Sequence, residues 1–406
     1  MKKTINKYLS LNKNIINLLI AGFFVNIIGV SLFLILNIFL SKKGFNDVQI
    51  ANYISYRFLA ITFFALPFGL FIKKRKLKPF FYIGGIGVPA TTGLLIFSIN
   101  NIELHSLIPY IFLLIGLFFS FFQICKLPYI IRNAKKSNYS HAISLSFATH
   151  SISTITSGFL IFLIDNLFNL NEGQIINIIC ISSIIGIYFI HKIKEDRISD
   201  TTKEIQANNW RRIIKAISPT LMISIGAGLA IPFMNLFFFH SFKIDSDTFS
   251  FLGSCSSIIV AIFVLNVPKL KNKFGYKKGI LSTQSMAIIC LIVLATTDYF
   301  TTSYWALPTA IFFFLIRQPL MNMAGPMTEE LSMEYVGKKN QEILSALYSA
   351  VWSGSWFFSS QIFRFLRSKD FSYGEIFYIT ASLYTVGVFM YYILIKDYNK
   401  TRKNIN

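Results

Sequence analysis

Residues 191–218 read HKIKEDRISDTTKEIQANNWRRIIKAIS, the longest polar stretch in a chain of 406 residues. On both sides of it the sequence turns apolar in long runs. Upstream lie Ile15–Leu40, Val48–Ile72, Pro79–Ile99, Leu107–Leu127, His141–Ile164 and Gln174–Ile190. Downstream lie Pro219–Phe239, Phe249–Val267, Gly279–Tyr299, Trp305–Met323, Ile343–Leu366 and Glu375–Ile395. Each run approaches the roughly 20 residues a helix needs to cross about 30 Å of hydrocarbon. The polar stretch therefore separates six candidate spans from six more.

Composition agrees. Hydrophobic residues make up 54% of the chain and charged ones 14%, with mean hydropathy +0.56, outside the range of an ordinary soluble domain. No strict alternation of apolar and polar residues runs through the spans, which argues against a transmembrane β-barrel. The predicted class is an all-α membrane protein of twelve transmembrane helices. The expected organisation is a six-helix bundle over residues 1–190, a linker over 191–217 and a second bundle over 218–406. The basic start and the apolar run after it read as a retained first helix, because that run is longer than a signal-peptide core.

The net charge is +21, but the basic residues form short clusters between spans rather than a groove interleaved with aromatics, so nucleic acid is not an expected partner. Of the 39 Lys and Arg residues, Lys42, Lys43, Lys243, Arg367 and Lys369 fall on one side of the twelve-span plan, and Arg57, Arg317 and Arg364 fall within spans. All others lie on the opposite side, which is then cytoplasmic and carries both termini. Adding or removing one span would destroy this asymmetry. The four cysteines, Cys125, Cys180, Cys255 and Cys290, lie in apolar runs with no CxxC pair, so neither a disulfide framework nor a zinc site is predicted.

Landmarks recur after about 200 residues: the basic run at Lys73 returns at Lys269, and Lys135-Lys136 returns as Lys338-Lys339. Such duplication marks carriers built from two bundles. At the second basic run the chain reads Pro268-Lys-Leu-Lys-Asn-Lys-Phe-Gly-Tyr-Lys-Lys278. This resembles the Gly-x-x-x-Asp-Arg-x-Gly-Arg-Arg motif of the major facilitator superfamily, with Lys273, Gly275 and Lys277 matching in kind. Pro268, Asn272 and Tyr276 depart from it. In the first half Gly69 matches, Lys73 occupies the Asp position and the second Gly is absent. The stretch Arg317–Pro326, with Lys338-Lys339 and Trp352, is also similar to carriers of this superfamily. The resemblance implies two pseudo-symmetric six-helix bundles and a cytoplasmic gate formed by Gly69, Lys73, Asn272, Lys273, Gly275 and Lys277. Because both acidic motif positions lack a carboxylate, it carries over no carboxylate latch.

A carrier needs a polar path between its bundles. Asn26 stands on the first span in a stripe with Gly22, Gly29, Phe33 and Asn37. Gly116, Ser120 and Gln123 share the fourth, and Ser146, Thr149, His150, Ser153 and Ser157 the fifth. Ser224, Gly228, Pro232 and Asn235 mark the seventh, and Ser345, Ser349, Trp352, Trp356 and Ser360 the eleventh. The expected pathway residues are Asn26, Arg57, Gln123, His150, Asn235, Arg317, Trp352 and Trp356. For the glycines and serines, helix–helix packing is the competing explanation. Arg57 is the sharpest of the set: it lies in the second span with Tyr53, Ala60 and Ile61 as helical neighbours, none able to neutralise it. A guanidinium there costs at least about 2.5 kcal/mol unless it finds a partner. Arg317 raises the same question in the tenth span, where snorkelling or bonds to carbonyls are the alternative. Together the two arginines favour an anionic or zwitterionic substrate.

No Asp or Glu lies deep within a span, and if protons are coupled, His150 is the available group. The histidines lack metal-ligand spacing, and no phosphate-binding or nucleophile-elbow motif occurs. The reading is therefore a secondary transporter rather than an enzyme, with no metal or cofactor. It works by alternating access as a monomer in a cytoplasmic membrane. Its partners are a small-molecule substrate, lipid, and a proton or other ion as co-substrate. The rich Ile, Asn, Lys and Phe usage fits an AT-rich bacterial genome. An efflux antiporter for amphiphiles is the alternative within the class, and a non-transporting sensor or partner subunit the alternative outside it.

Overall fold

The structure, a computed structural model, describes residues 11–72, 75–134, 139–195, 209–337 and 340–403. Its first helices are α1 (Lys13–Lys42), α2 (Asp47–Phe71), α3 (Lys78–Asn100), α4 (Ile108–Asn133), α5 (Tyr139–Phe168) and α6 (Glu172–His191). After the linker come α7 (Trp210–Ala230), α8 (Met234–Phe242), α9 (Ser246–Leu265), α10 (Val267–Thr297), α11 (Ala306–Val336), α12 (Gln341–Arg367) and α13 (Tyr373–Lys403). A 3₁₀ turn at Ile231–Phe233, set by Pro232, joins α7 to α8 in one apolar rod. The described helices thus make the twelve rods the sequence predicts.

Nine of these rods are long and apolar enough to cross a membrane by composition alone. The other three are α2, α11 and α12, which carry Arg57, Arg317 and Arg364. Their lengths of 25, 31 and 27 residues still exceed the span requirement of about 20.

The helices begin where the sequence can satisfy their first amide groups. Asn46 and Gln49 bond each other's backbone N–H ahead of α2, as do Asn171 and Gln174 ahead of α6 and Ser372 and Glu375 ahead of α13. All three capping boxes stand at the end of the rods opposite the basic clusters.

Contacts divide the chain into two units: Met1–Thr202 with Asp245–Ser254, and Lys203–Ile244 with Cys255–Asn406. Asp245–Ser254 follows the linker in sequence yet falls in the first unit. There Asp245 pairs with Lys42 at 2.6 Å, Ser246 donates to buried Glu172, and Ser254 donates to the Ile155 carbonyl. In the first unit α1 packs on α5 and α6, α3 on α4 and α6, and α2 on α4. In the second, α7 packs on α12 and α13, and α10 on α11 and α13. The duplication read from the loops is therefore repeated in helix pairing.

The serines settle their competing readings at several positions. Ser153 and Ser157 on α5 donate to the Phe23 and Ile27 carbonyls of α1. On α12, Ser359 donates to the Ile225 carbonyl of α7, and Ser355 meets Ser224 at 2.8 Å. These hydroxyls hold helix to helix, as membrane bundles require. The side chains of Ser345 and Ser349 lie outside the described residues.

Candidate functional site

In the first unit the site is built on α4. Gln123 donates its Nε2 to Oδ1 of Asn26 on α1 at 2.8 Å, and one turn earlier the Phe119 ring lies 5.0 Å from the Arg57 guanidinium carbon. The helices can come this close because two positions have no side chain. A Cβ at Gly116 would stand 2.2 Å from the Arg57 carbonyl oxygen, and one at Gly29 would stand 2.6 Å from the Phe119 ring. Arg57 is partly buried, with its Nε shut away and holding no hydrogen bond among the described residues. Described carboxylates in this unit, such as Asp47, Glu103, Asp165, Glu172 and Glu195, stand at or beyond helix ends. The Phe119 face offers a cation–π contact but no counter-charge. Asn26, Arg57 and Gln123 are thus grouped along one side of α4. His150 is on an exposed face of α5, and no hydrogen bond from its ring joins it to that group among the described residues. Of the stripe on α1, Gly22 and Gly29 meet α4 rings, while Phe33 is 36% exposed.

In the second unit Arg317 is in a different situation. Only 2% exposed, it donates from Nη2 to the Tyr384 hydroxyl of α13 at 3.2 Å. Its guanidinium carbon lies 5.9 Å from the same ring, and its Nε has no partner among the described residues. Tyr384 carries no distinguishing mark in the sequence, where it is one of several aromatics in an apolar span. Asn235 is buried on α8, where its Oδ1 accepts from the Leu236 amide. Trp356 lies against Gly228 of α7 through its backbone, and Trp352 is 38% exposed.

At the basic end, the stretch expected as a loop over 268–278 is helical. α10 starts at Val267 and turns at Gly275, whose φ of 66° and ψ of −179° break the helix. An L side chain is costly in that region of backbone space. Before the turn Lys271 pairs with Glu330 of α11 at 2.6 Å, which raises the lysine pKa to about 12 chiefly through that hydrogen bond. After it Lys277 lies 5.4 Å from the Tyr392 ring. Asn272 and Lys273 are exposed, and Gly69 has open space beside it. Lys73 lies outside the described residues, as do the recurring pairs at 135–136 and 338–339.

A carboxylate does secure each of these ends, although neither comes from the motif. In the first unit Glu195, arriving after α6, accepts from the Leu77 amide at 2.8 Å and the Lys78 amide at 2.9 Å. Arg132 approaches it at 3.9 Å, both side chains being 3% exposed, and Arg132 also donates to the Arg75 carbonyl at 2.7 Å. Glu195 could not be singled out in the sequence because it stands in the charged linker among other acids and bases.

No family model matches the sequence, and no curated protein matches it either. Solved structures match across nearly the whole chain. The nucleoside transporter NupG has 14% identity and a TM-score of 0.69, over 94% of this chain and 99% of that one. An inward-facing bacterial homologue of the iron transporter ferroportin has 13% identity and a TM-score of 0.73, over 94% and 98%. A D-xylose-proton symporter has 14% identity and a TM-score of 0.71, over 93% and 95%. At these identities the likeness defines the fold alone: an all-α, twelve-helix fold shared with these transporters.

Proposed function

We propose that this protein is a secondary transporter that moves a small solute across a membrane by alternating access, and that the solute carries a negative charge as an anion or zwitterion. The fold supports the class, since its neighbours in structure are transporters of nucleosides, metals and sugars. The observation that carries the substrate class is Arg57. A guanidinium within a span, with no carboxylate paired to it among the described residues, is expensive unless its function needs the charge. Asn26 and Gln123 add polar groups within reach of the same helix face. Both termini lie on the cytoplasmic side, and the pathway continues through His150, Asn235, Arg317, Trp352 and Trp356.

A ligand-stabilisation screen on the purified full chain tests this. Anionic and zwitterionic small molecules raise the melting temperature, because a ligand at 100 times its dissociation constant adds about 2.7 kcal/mol. Cations of similar size do not, and Arg57→Gln removes the response. Stabilisation by cations alone, or a response unchanged in Arg57→Gln, contradicts the assignment.

A further inference from the structure

Two depressions stand at corresponding places in the two units, at the basic ends of the rods. In the first unit, where α3 begins and α6 ends, a cavity of about 640 Å³ is walled by Lys76, Lys78 and Lys194 together with Tyr82 and Ile83. In the second, where α10 and α13 meet, a cavity of about 250 Å³ is walled by Lys277, Lys396 and Lys400 together with Tyr392 and Ile395. α3 packs on α6 as α10 packs on α13, so the same helix pair, three lysines, a tyrosine and an isoleucine recur in both halves.

The lysine charges are little neutralised locally. Glu195 is on the first wall, but its oxygens are occupied by the Leu77 and Lys78 amides and face Arg132. Among the described residues the second cavity has no acidic lining residue, and nearby Asp397 is held by Lys215 at 2.5 Å and Tyr335 at 2.6 Å. Each cavity therefore presents ammonium groups to a ligand rich in negative oxygen. Below the first, α3 exposes Ile83, Ile86, Ala90, Leu94 and Phe97, three or four residues apart along one face. Below the second, α13 exposes Val386, Phe389 and Tyr392. On a membrane-spanning rod such a stripe lies against acyl chains.

We propose that each cavity seats the headgroup phosphate of an anionic phospholipid, with an acyl chain lying down the apolar stripe beneath it. Basic pockets between spans on the cytoplasmic side suit anionic headgroups, and the stripe selects a lipid over a soluble phosphate. The sites are independent of the Arg57 reading.

Native mass spectrometry of the full chain in detergent, titrated with phosphatidylglycerol, phosphatidylcholine or glycerol 3-phosphate, tests the proposal. The protein retains two phosphatidylglycerol molecules in preference to phosphatidylcholine. Lys76→Gln/Lys78→Gln/Lys194→Gln leaves one, as does Lys277→Gln/Lys396→Gln/Lys400→Gln, each emptied site binding about a hundredfold more weakly. The matching Lys→Arg sets retain both lipids, and in the unsubstituted protein 1 M salt, where the Debye length falls to about 3 Å, releases them. Retention of phosphatidylglycerol by the sixfold Gln variant, equal retention of phosphatidylcholine, or displacement by glycerol 3-phosphate at equal concentration overturns it. The last result would make these sites for soluble phosphates.

Discussion

Arg57 and Arg317 looked alike in the sequence, each a lone cation in a span, and their surroundings separate them. Arg317 is 2% exposed and bonded to Tyr384, while Arg57 has the ring of Phe119 as its neighbour and no paired acid among the described residues. The difference is tertiary, because Tyr384 is 67 positions away. Arg57→Lys keeps the charge but loses the planar fork that grips two oxygens. Under the proposed function, affinity for an anionic or zwitterionic solute, measured by calorimetry, falls roughly tenfold to a hundredfold, a loss of about 1.4–2.8 kcal/mol. Gln123 is a separate case. Replacing it with Leu leaves Asn26, 5% exposed, without the amide that now bonds its Oδ1, at a cost of about 1 kcal/mol. The double variant Asn26→Leu/Gln123→Leu recovers part of that loss in thermal unfolding. An additive result would show that the pair is not coupled.

At the scale of helices, apolar runs and capping pairs were legible because they are local. Asn46 with Gln49, Asn171 with Gln174 and Ser372 with Glu375 sit three residues apart in the sequence, as capping boxes do. The start of α10 was not legible: its lysines read as a loop, yet they are good helix formers, and Pro268 opens the helix as proline can. Close approach was also hidden. At Gly116→Ala the new methyl must displace the Arg57 backbone, now 2.2 Å from where it would stand. Overpacking of this kind costs about 1–3 kcal/mol, and a lowered melting temperature in detergent checks it. Asp397 ties α13 to α7 and α11, and bonds from Lys215 and Tyr335 hold its carboxyl below the usual range. A carboxylate depressed in the folded state stabilises above its unfolded pKa near 3.9 and loses that effect as pH falls through its folded value. Asp397→Asn therefore melts lower than the parent at pH 7, and the gap narrows below about pH 4. A gap constant with pH would exclude the ionised form as its source.

Over the whole molecule, the repeat at about 200 residues anticipated a repeated pairing of helices, since α1 with α5 and α6 is matched by α7 with α12 and α13. The carboxylates securing the basic ends were not anticipated, because Glu195 and Glu330 reach their partners from the linker and a distant helix. Orientation rests on the distribution of lysines and arginines, and reporter fusions at both termini should report the cytoplasmic side. Transport itself is tested most directly by counterflow in liposomes holding the purified chain, loaded with anionic, zwitterionic, neutral or cationic solutes. Saturable exchange of a solute bearing a negative charge is expected, lost in Arg57→Gln and kept when Lys369 on the opposite membrane face becomes Gln. Exchange that persists undiminished in Arg57→Gln, or no exchange of any solute that stabilises the protein, would contradict it.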